Sequence, residues 1–228
     1  SFSDTKALPK SKMITVGNPV REEVLGGSKE QAQKLFNLQG GRPLVLVMGG
    51  SQGAQAINNL IIDILPELMD GFEIIHQTGK NNYQEVLLQT NFILEDKRLK
   101  PFYHPFEFLG EEQLKHALAA ADLVVSRAGS GSLFEIAACA KPAILVPLRS
   151  SAQGHQLENA YQFAEGGGGE VISEENLTPH FFLEKLRFLL NRPDILKGMA
   201  QNSRLFGRTK TANIIANYLL DYLYQTLS

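Results

Sequence analysis

The sequence predicts an α/β protein with a Rossmann-like, doubly wound parallel sheet. Short apolar runs of strand length alternate along the chain with segments whose apolar residues recur every three or four positions. Two of the runs end in glycine-rich turns, at residues 49–53 and 129–132, and an amphipathic segment follows each turn. Ligands of such sheets bind outside the carboxyl ends of the strands, so we expect these turns to form a nucleotide site.

The predicted strands and helices follow from these two patterns, the apolar run and the repeat of three or four residues. The predicted strands cover residues 43–50, 72–77, an extended segment within 100–109, 123–126, 142–146 and 170–172. The predicted helices cover residues 57–68, 83–90, 113–121, 134–140, 155–165, 181–190, 195–206 and 211–223. The four glycines at 166–169 are interpreted as a helix C-cap followed by a bend.

Composition and chain ends set the class of protein. The chain has 228 residues, 43% of them hydrophobic, and a formal net charge of −2, so we expect no nucleic-acid partner. No apolar stretch approaches the roughly 20 residues that cross a bilayer, and we expect a cytoplasmic protein. The single cysteine, Cys139, lies in an apolar run and is interpreted as a buried, unreactive thiol. Because the chain starts without methionine, we expect a fragment of a longer protein.

The first turn, Gly49-Gly50-Ser51-Gln52-Gly53, matches neither a Walker A loop nor a Gly-x-Gly-x-x-Gly fingerprint. Its glycines let backbone N–H groups approach an anion, and Ser51 can donate a hydroxyl hydrogen bond. A phosphate-binding turn and a plain strand-to-helix turn both remain open.

The second turn, Gly129-Ser130-Gly131-Ser132, precedes Glu135, and two roles remain open for this carboxylate. Ser132 and Glu135 have the spacing of a capping box, in which Glu135 accepts from the backbone N–H of Ser132. Alternatively, Glu135 accepts hydrogen bonds from the two hydroxyls of a ribose while phosphates bind the turn.

Four further polar residues are candidates for the site. Arg21 is either a solvated surface group or the cation that neutralises a diphosphate. Gln156 and Asn159 share one helix face and either bind sugar hydroxyls or cap and solvate the helix start. His155 is interpreted as a polar wall group, because no Ser or Cys nucleophile stands in a recognisable triad. The histidines lack the spacing of zinc ligands, and the sequence has no Asp-x-Asp pair, so we expect no metal site.

Four motifs, in this order and spacing, resemble the MurG family, the bacterial N-acetylglucosaminyltransferases of peptidoglycan synthesis. They are residues 17–21 (GNPVR), 49–54 (GGSQGA), 121–129 (ADLVVSRAG) together with Glu135, and 155–160 (HQLENA). The resemblance covers nearly the whole chain and corresponds to the donor-binding, C-terminal half of a GT-B glycosyltransferase. It divides the chain into the end of a missing N-terminal acceptor domain (1–15), a UDP-sugar-binding domain (16–207) and a C-terminal helix (208–228).

The resemblance implies a binding site for UDP-N-acetylglucosamine (UDP-GlcNAc). Carried over by motif, Arg21 and Ser51 would contact the diphosphate, the main chain at Leu109 the uracil, and Glu135 the ribose hydroxyls. The residues of the implied site are Arg21, Gly50, Ser51, Gln52, Leu109, Gly129, Ser130, Gly131, Ser132, Glu135, His155, Gln156 and Asn159.

Two parts of this site need separate mention. Gln156 and Asn159 would hold the GlcNAc hydroxyls. Around the nucleotide loop the chain departs from the family, which usually has a small residue, an apolar residue and a threonine after the first glycine. Here Ser130 and Gly131 occupy the first two positions, and Ser132 stands in for the threonine.

The implied reaction is transfer of GlcNAc to undecaprenyl-pyrophosphoryl-MurNAc-pentapeptide (lipid I), with inversion and without a metal or other cofactor. The catalytic base, the lipid I contacts and attachment to the cytoplasmic face of the inner membrane would belong to the missing half, so the chain alone would be inactive. Three alternatives stay open: another sugar-nucleotide enzyme such as a UDP-sugar epimerase, the donor subunit of a two-chain GlcNAc transferase, and a non-catalytic nucleotide-sugar-binding module.

Overall fold

The protein forms a six-stranded, wholly parallel sheet, as the sequence predicts. The computed structural model describes residues 16–50, 54–95, 98–148, 154–207 and 211–227. The strands are β1 Leu44–Met48, β2 Glu73–Gln77, β3 Tyr103–Phe106, β4 Leu123–Ser126, β5 Ala143–Leu145 and β6 Gly169–Val171. Their spatial order is β3-β2-β1-β4-β5-β6, so the direction of winding reverses between β1 and β4. In doubly wound sheets this switch point opens the crevice in which ligands bind.

The described residues contain ten α-helices, of which α1 precedes the first strand. They are α1 Lys29–Phe36, α2 Gln55–Asp63, α3 Leu65–Gly71, α4 Tyr83–Ile93, α5 Glu111–Ala120, α6 Ser130–Ala138, α7 His155–Glu165, α8 Pro179–Leu190, α9 Pro193–Phe206 and α10 Thr211–Leu227. The described part of the chain also has 3-10 turns at Glu22–Val24, Lys100–Phe102 and Glu174–Asn176. Helix α7 has the bounds that the sequence predicts.

The two faces of the sheet bury separate apolar clusters. In β1, Val45 and Val47 pack against α2, α3 and α8, whereas Leu44, Leu46 and Met48 pack toward α1, α5 and α6. All five residues of β1 are buried. Burial on both faces explains why this strand reads as a continuous apolar run rather than as an alternating pattern.

The helical stripe predicted over 57–68 is interrupted. It forms two helices, α2 and α3, with Ile64 between them in a non-helical conformation at φ −116° and ψ 17°. Pro66 lies in the first turn of α3. In the first turn of a helix the backbone N–H has no helical acceptor, so a proline there costs no hydrogen bond. Inside a continuous helix the same proline would remove a backbone hydrogen bond and clash with the preceding turn.

Helix α1 was not predicted, although the sequence carries a signal for it. Ser28 is its N-cap, and the Ser28 side chain accepts a hydrogen bond from Gln31 N at 3.2 Å. Ser-x-x-Gln is a capping signature that was overlooked at this position.

The glycines at 166–169 have more than the predicted role. Gly166 is the C-cap of α7 and Gly167 has φ +75°, as expected for a cap and bend. Gly168 and Gly169, however, lie against the ring of Phe163, where an added Cβ would come within 2.7 and 2.8 Å of ring atoms. Close packing therefore requires these two glycines, and Gly169 already belongs to β6.

Helix α10 is attached to the rest of the chain near its start, where Thr211 Oγ1 donates to the carbonyl oxygen of Val16 at 2.7 Å. Beyond this contact the helix exposes many apolar side chains. They are Ile214, Tyr218, Leu219, Leu220, Tyr222, Leu223 and Tyr224. Across the described part of the chain, every helix falls short of the length and apolar character that membrane crossing requires.

Candidate functional site

A cavity of about 310 Å³ opens at the carboxyl ends of β1 and β2. Its walls include Met48 and Gln77, the last residues of these strands, and the amino end of α6. The full lining is Arg21, Met48, Gly50, Gln77, Phe108, Leu109, Leu114, Gly131, Ser132 and Glu135. Two cavities of about 400 and 300 Å³ lie beside Pro43, Asp122 and Pro142, at the amino ends of strands. The carboxyl-end cavity is the candidate site, because ligands of this fold bind there.

This cavity brings together six residues that the sequence analysis selected. They are Arg21, Gly50, Leu109, Gly131, Ser132 and Glu135. Gly129 and Ser130 belong to the same turn, at the start of α6. Ser51 and Gln52 lie outside the described residues. His155, Gln156 and Asn159 lie on α7 and are not part of the lining.

The amino end of α6 places backbone N–H groups beside the cavity. Gly129 is the N-cap, and Leu133 N donates to its carbonyl oxygen at 2.9 Å. The N–H groups of Ser130, Gly131 and Ser132 precede this first helical bond, so no helical carbonyl accepts from them. They carry the positive end of the helix dipole, and Gly131 and Ser132 line the cavity.

The capping box between Ser132 and Glu135 does not form. Helix α6 begins at Ser130, four residues earlier than predicted, so both residues lie inside the helix. Glu135 instead accepts a hydrogen bond from Nε of Arg21 at 2.7 Å. The extended conformation of Gly129 sets the helix start, which removes Ser132 from the N-cap position that the motif requires.

Arg21 reaches the cavity from the segment that precedes α1. Besides Glu135, its Nη1 lies 3.3 Å from Oε1 of Glu111. The side chain of Glu135 is 11% exposed, whereas those of Arg21 and Glu111 are 45% and 56% exposed. The hydrogen bond with Glu135 raises the pKa of Arg21 above its usual value. The cavity therefore presents one guanidinium and one nearly buried carboxylate, already in contact.

The first glycine turn and the loop after β3 meet at Gln77, a residue that the sequence analysis did not select. Gln77 Nε2 donates to the carbonyl oxygen of Gly50 at 3.1 Å, and Gln77 Oε1 accepts from Leu109 N at 3.0 Å. Gly50 has φ +82°, a conformation that glycine adopts readily. The available signal was a polar residue at the carboxyl end of a predicted strand.

Amide side chains on α7 hold neighbouring loops. Asn159 is buried, and its Nδ2 donates to the carbonyl oxygen of Ala128 at 3.2 Å. Gln156 Oε1 accepts from Leu148 N at 3.1 Å. His155, the first residue of α7, is exposed. In this structure Gln156 and Asn159 thus support the loops after β5 and β4 from outside the cavity.

Behind Gln77, His76 is fully buried between two polar partners. Its Nδ1 lies 2.8 Å from the Tyr103 hydroxyl and its Nε2 lies 3.0 Å from Asn58 Oδ1. An amide oxygen only accepts, so Nε2 carries the proton and Nδ1 accepts from Tyr103. Burial lowers the pKa of His76 to about 3, so the ring is neutral at physiological pH.

The described residues show neither a metal-binding cluster nor a reactive thiol. Within the described ranges, no group of three or more His, Cys, Asp or Glu side chains is placed to bind a metal ion. Cys139 is partly buried and its Sγ donates to the carbonyl oxygen of Val24 at 3.4 Å. Burial raises the pKa of this thiol to about 11, which agrees with the interpretation of an unreactive cysteine.

The strand order defines the class: a Rossmann-like domain with a doubly wound parallel sheet and a cavity at its switch point. Comparison with known proteins then gives the family. The model of the glycosyltransferase family 28 C-terminal domain matches residues 44–217. The chain belongs to this family.

Relatives and solved structures agree with the motif resemblance. A UDP-N-acetylglucosamine--N-acetylmuramyl-(pentapeptide) pyrophosphoryl-undecaprenol N-acetylglucosamine transferase from Clostridium tetani is 37% identical over 96% of this chain and 59% of its own length. The protein of the same name from Clostridium kluyveri is 34% identical over 93% of this chain and 58% of its own length. The chain therefore spans less than two thirds of these curated relatives.

Among solved structures, MurG from Acinetobacter baumannii superposes with a TM-score of 0.71 at 23% identity, covering 94% of this chain and 59% of that one. A UDP-GlcNAc 2-epimerase from Neisseria meningitidis, bound to UDP-GlcNAc, superposes with a TM-score of 0.60 at 17% identity, covering 85% and 48%. At these identities the likeness concerns the fold, and it confirms the predicted Rossmann-like domain.

Proposed function

We propose that this chain binds UDP-GlcNAc and supplies the donor half of a transferase that converts lipid I to lipid II in peptidoglycan synthesis. The observation that carries the proposal is the meeting of the α6 amino end, Arg21 and Glu135 in one cavity at the switch point. The family and the names of the curated relatives support the choice of donor and acceptor.

Each part of a UDP moiety has a complementary group in this cavity. The N–H groups at the start of α6 and the Arg21 guanidinium suit the diphosphate. We also assign Ser51 and Gln52 to the diphosphate, on the motif resemblance alone. The Glu135 carboxylate suits the vicinal ribose hydroxyls. Because Leu109 N already donates to Gln77, the Leu109 carbonyl oxygen is the atom that would accept the imide N–H of uracil.

We propose that the Arg21–Glu135 pair separates when the donor binds. The exchange is favourable because each group keeps a partner of suitable chemistry: the guanidinium gains phosphate oxygens, and the carboxylate gains hydroxyl donors. We assign the sugar side to α7, with Gln156 and Asn159 at the GlcNAc hydroxyls and His155 as a polar wall, as the motif resemblance implies.

In the proposed reaction the 4-hydroxyl of the acceptor sugar attacks the anomeric carbon from the face opposite UDP, so the configuration inverts. Negative charge grows on the departing diphosphate, and the amino end of α6 and Arg21 stabilise it without a metal ion. A general base must take the acceptor proton. As the motif resemblance implies, we place this base in the N-terminal half of the longer protein.

The same proposal assigns regions of the longer protein. Residues 16–207 form the donor domain and 208–228 a terminal helix, while residues 1–15 lead from an acceptor domain. That acceptor domain binds lipid I and attaches the enzyme to the cytoplasmic face of the inner membrane.

Calorimetric titration of the 228-residue chain, paired with a transferase assay, tests the proposal. We expect binding of UDP-GlcNAc and UDP, weaker binding of ADP, and no transfer to a lipid I analogue by the chain alone. Product analysis must also show no epimerised sugar nucleotide. Absence of UDP binding at millimolar ligand would reject the donor assignment, and turnover by the chain alone would reject the placement of the base.

A further inference from the structure

Gln77 connects two walls of the cavity through one side chain. It is the last residue of β2, is 5% exposed, and lines the cavity together with Gly50 and Leu109. Its Nε2 donates to the Gly50 carbonyl oxygen at 3.1 Å, and its Oε1 accepts from Leu109 N at 3.0 Å. These two partners lie 27 and 32 residues away in the sequence.

The chemistry of this contact requires an amide. The first glycine turn presents a carbonyl, which needs a donor, and the loop after β3 presents an N–H, which needs an acceptor. A primary amide offers both from one planar group, whereas a carboxylate offers acceptors alone and a thioether offers no donor. Both partners are backbone atoms, so Gln77 fixes main-chain positions rather than side-chain rotamers.

The strand end that carries Gln77 is itself rigid. Neighbouring His76 donates to Asn58 Oδ1, and Asn58 Nδ2 donates to the carbonyl oxygen of Thr78 at 3.0 Å. Thr78 N also donates to the carbonyl oxygen of Phe106 at 2.9 Å. Hydrogen bonds therefore hold the residues on both sides of Gln77, and a side chain held on a fixed backbone can set the distance between two loops.

We propose that Gln77 is a positioning residue for the nucleotide, holding the phosphate-side turn and the base-side loop at the separation that one UDP spans. This inference rests on the proposed function, because it takes UDP as the ligand of the cavity. A ligand that touches both walls depends on their separation, whereas uridine has no phosphate and so makes no contact with the phosphate-side turn.

Two variants distinguish the two hydrogen bonds that the Gln77 amide makes. Gln77→Met keeps the length of the side chain but loses both hydrogen bonds, and we expect UDP to bind about tenfold more weakly, with a smaller loss for uridine. Gln77→Glu still accepts from Leu109 N but repels the Gly50 carbonyl. For this variant we expect uridine affinity near that of the wild type and UDP affinity about tenfold lower.

Amide hydrogen exchange of the ligand-free, 228-residue chain checks the contact without reference to activity. We expect exchange at Leu109 to accelerate about tenfold in Gln77→Met and to stay slow in Gln77→Glu. Gln89→Met is the matched control, because Gln89 lies on the exposed face of α4 and its Nε2 donates to Glu85 one turn away at 3.1 Å. The control must leave exchange, UDP binding and uridine binding unchanged.

The outcomes are distinguishable. A wild type that binds neither UDP nor uridine removes the proposed function and, with it, the role of Gln77. A wild type that binds UDP, with Gln77→Met binding it equally well, overturns the positioning role alone. Equal loss of UDP and uridine in Gln77→Glu also overturns it, because a merely structural residue would not change their ratio. If Gln77→Met fails to fold, as judged by thermal unfolding, the Gln77→Glu ratio decides.

Discussion

Removal of the Glu135 carboxylate is the sharpest test of the proposed ribose contact. In Glu135→Ala the donor loses an acceptor for its two ribose hydroxyls. A hydrogen bond to a charged group contributes about 1.5–3 kcal/mol, so loss of even one such bond weakens UDP-GlcNAc by about 10- to 150-fold. The Arg21–Glu135 contact offsets little of this, because Arg21 is 45% exposed and exposed ion pairs contribute little.

Titration calorimetry with UDP-GlcNAc and its 2′-deoxyribose analogue measures this effect. We expect Glu135→Ala to lose much more affinity for UDP-GlcNAc than for the analogue, which already lacks one of the two hydroxyls. Glu111→Ala is the matched control, since Glu111 is the other carboxylate beside Arg21 and is 56% exposed. Equal losses for both ligands would mean that Glu135 acts only by holding Arg21, and the ribose assignment would then be wrong.

Two further predictions concern stability. His76 is neutral in the folded protein, because burial lowers its pKa to about 3 from 6.5. Between these two pH values the unfolded chain binds a proton at this residue and the folded chain does not. The free energy of unfolding therefore falls as the pH decreases through this window, by at most about 1.4 kcal/mol per pH unit from this group. Urea unfolding of His76→Gln across this range should show a shallower pH dependence than the wild type or the exposed-site control His180→Gln. Gly50→Ala places a side chain at φ +82° with no steric contact within 4 Å, and urea unfolding should show a loss of about 1–2 kcal/mol from backbone strain alone.

Each stability prediction has an outcome that contradicts it. Identical pH slopes for wild type and His76→Gln would show that His76 is protonated in the folded state. Gly131→Ala is the control for Gly50→Ala, because Gly131 lies in the first turn of α6 with nothing within 4 Å of an added Cβ. We expect this change to be neutral or to stabilise by up to about 1 kcal/mol. Equal effects of the two substitutions would remove the strain at Gly50 as their cause.

The fold was predictable because its signals are local. Strand β1 is buried on both faces and therefore carries an uninterrupted apolar run, while α7 repeats its apolar residues with the helical period. The helix break before Pro66 and the helix cap at Ser28 also have local signals in the sequence: the proline itself and the Ser-x-x-Gln spacing.

The sequence predicted which segments lie close together at the site, but not which side chains form hydrogen bonds with one another. The two glycine turns follow β1 and β4, and parallel strands bring their carboxyl ends to one edge, so their proximity follows from topology. The partner of each polar side chain does not follow. One of the two roles left open by the sequence, the capping box, pairs Glu135 with Ser132, three residues away, whereas the structure pairs Glu135 with Arg21, 114 residues away.

Thus the sequence by itself determined the alternation of strands and helices, the edge of the sheet at which we expect a ligand, and the family. Tertiary structure alone decided that Gln77 joins two cavity walls and that Asn159 supports the carbonyl of Ala128. The physical reason is range: backbone periodicity reflects neighbours within a few residues, whereas an amide or carboxylate binds whichever complementary group the packing of distant segments brings within about 3 Å.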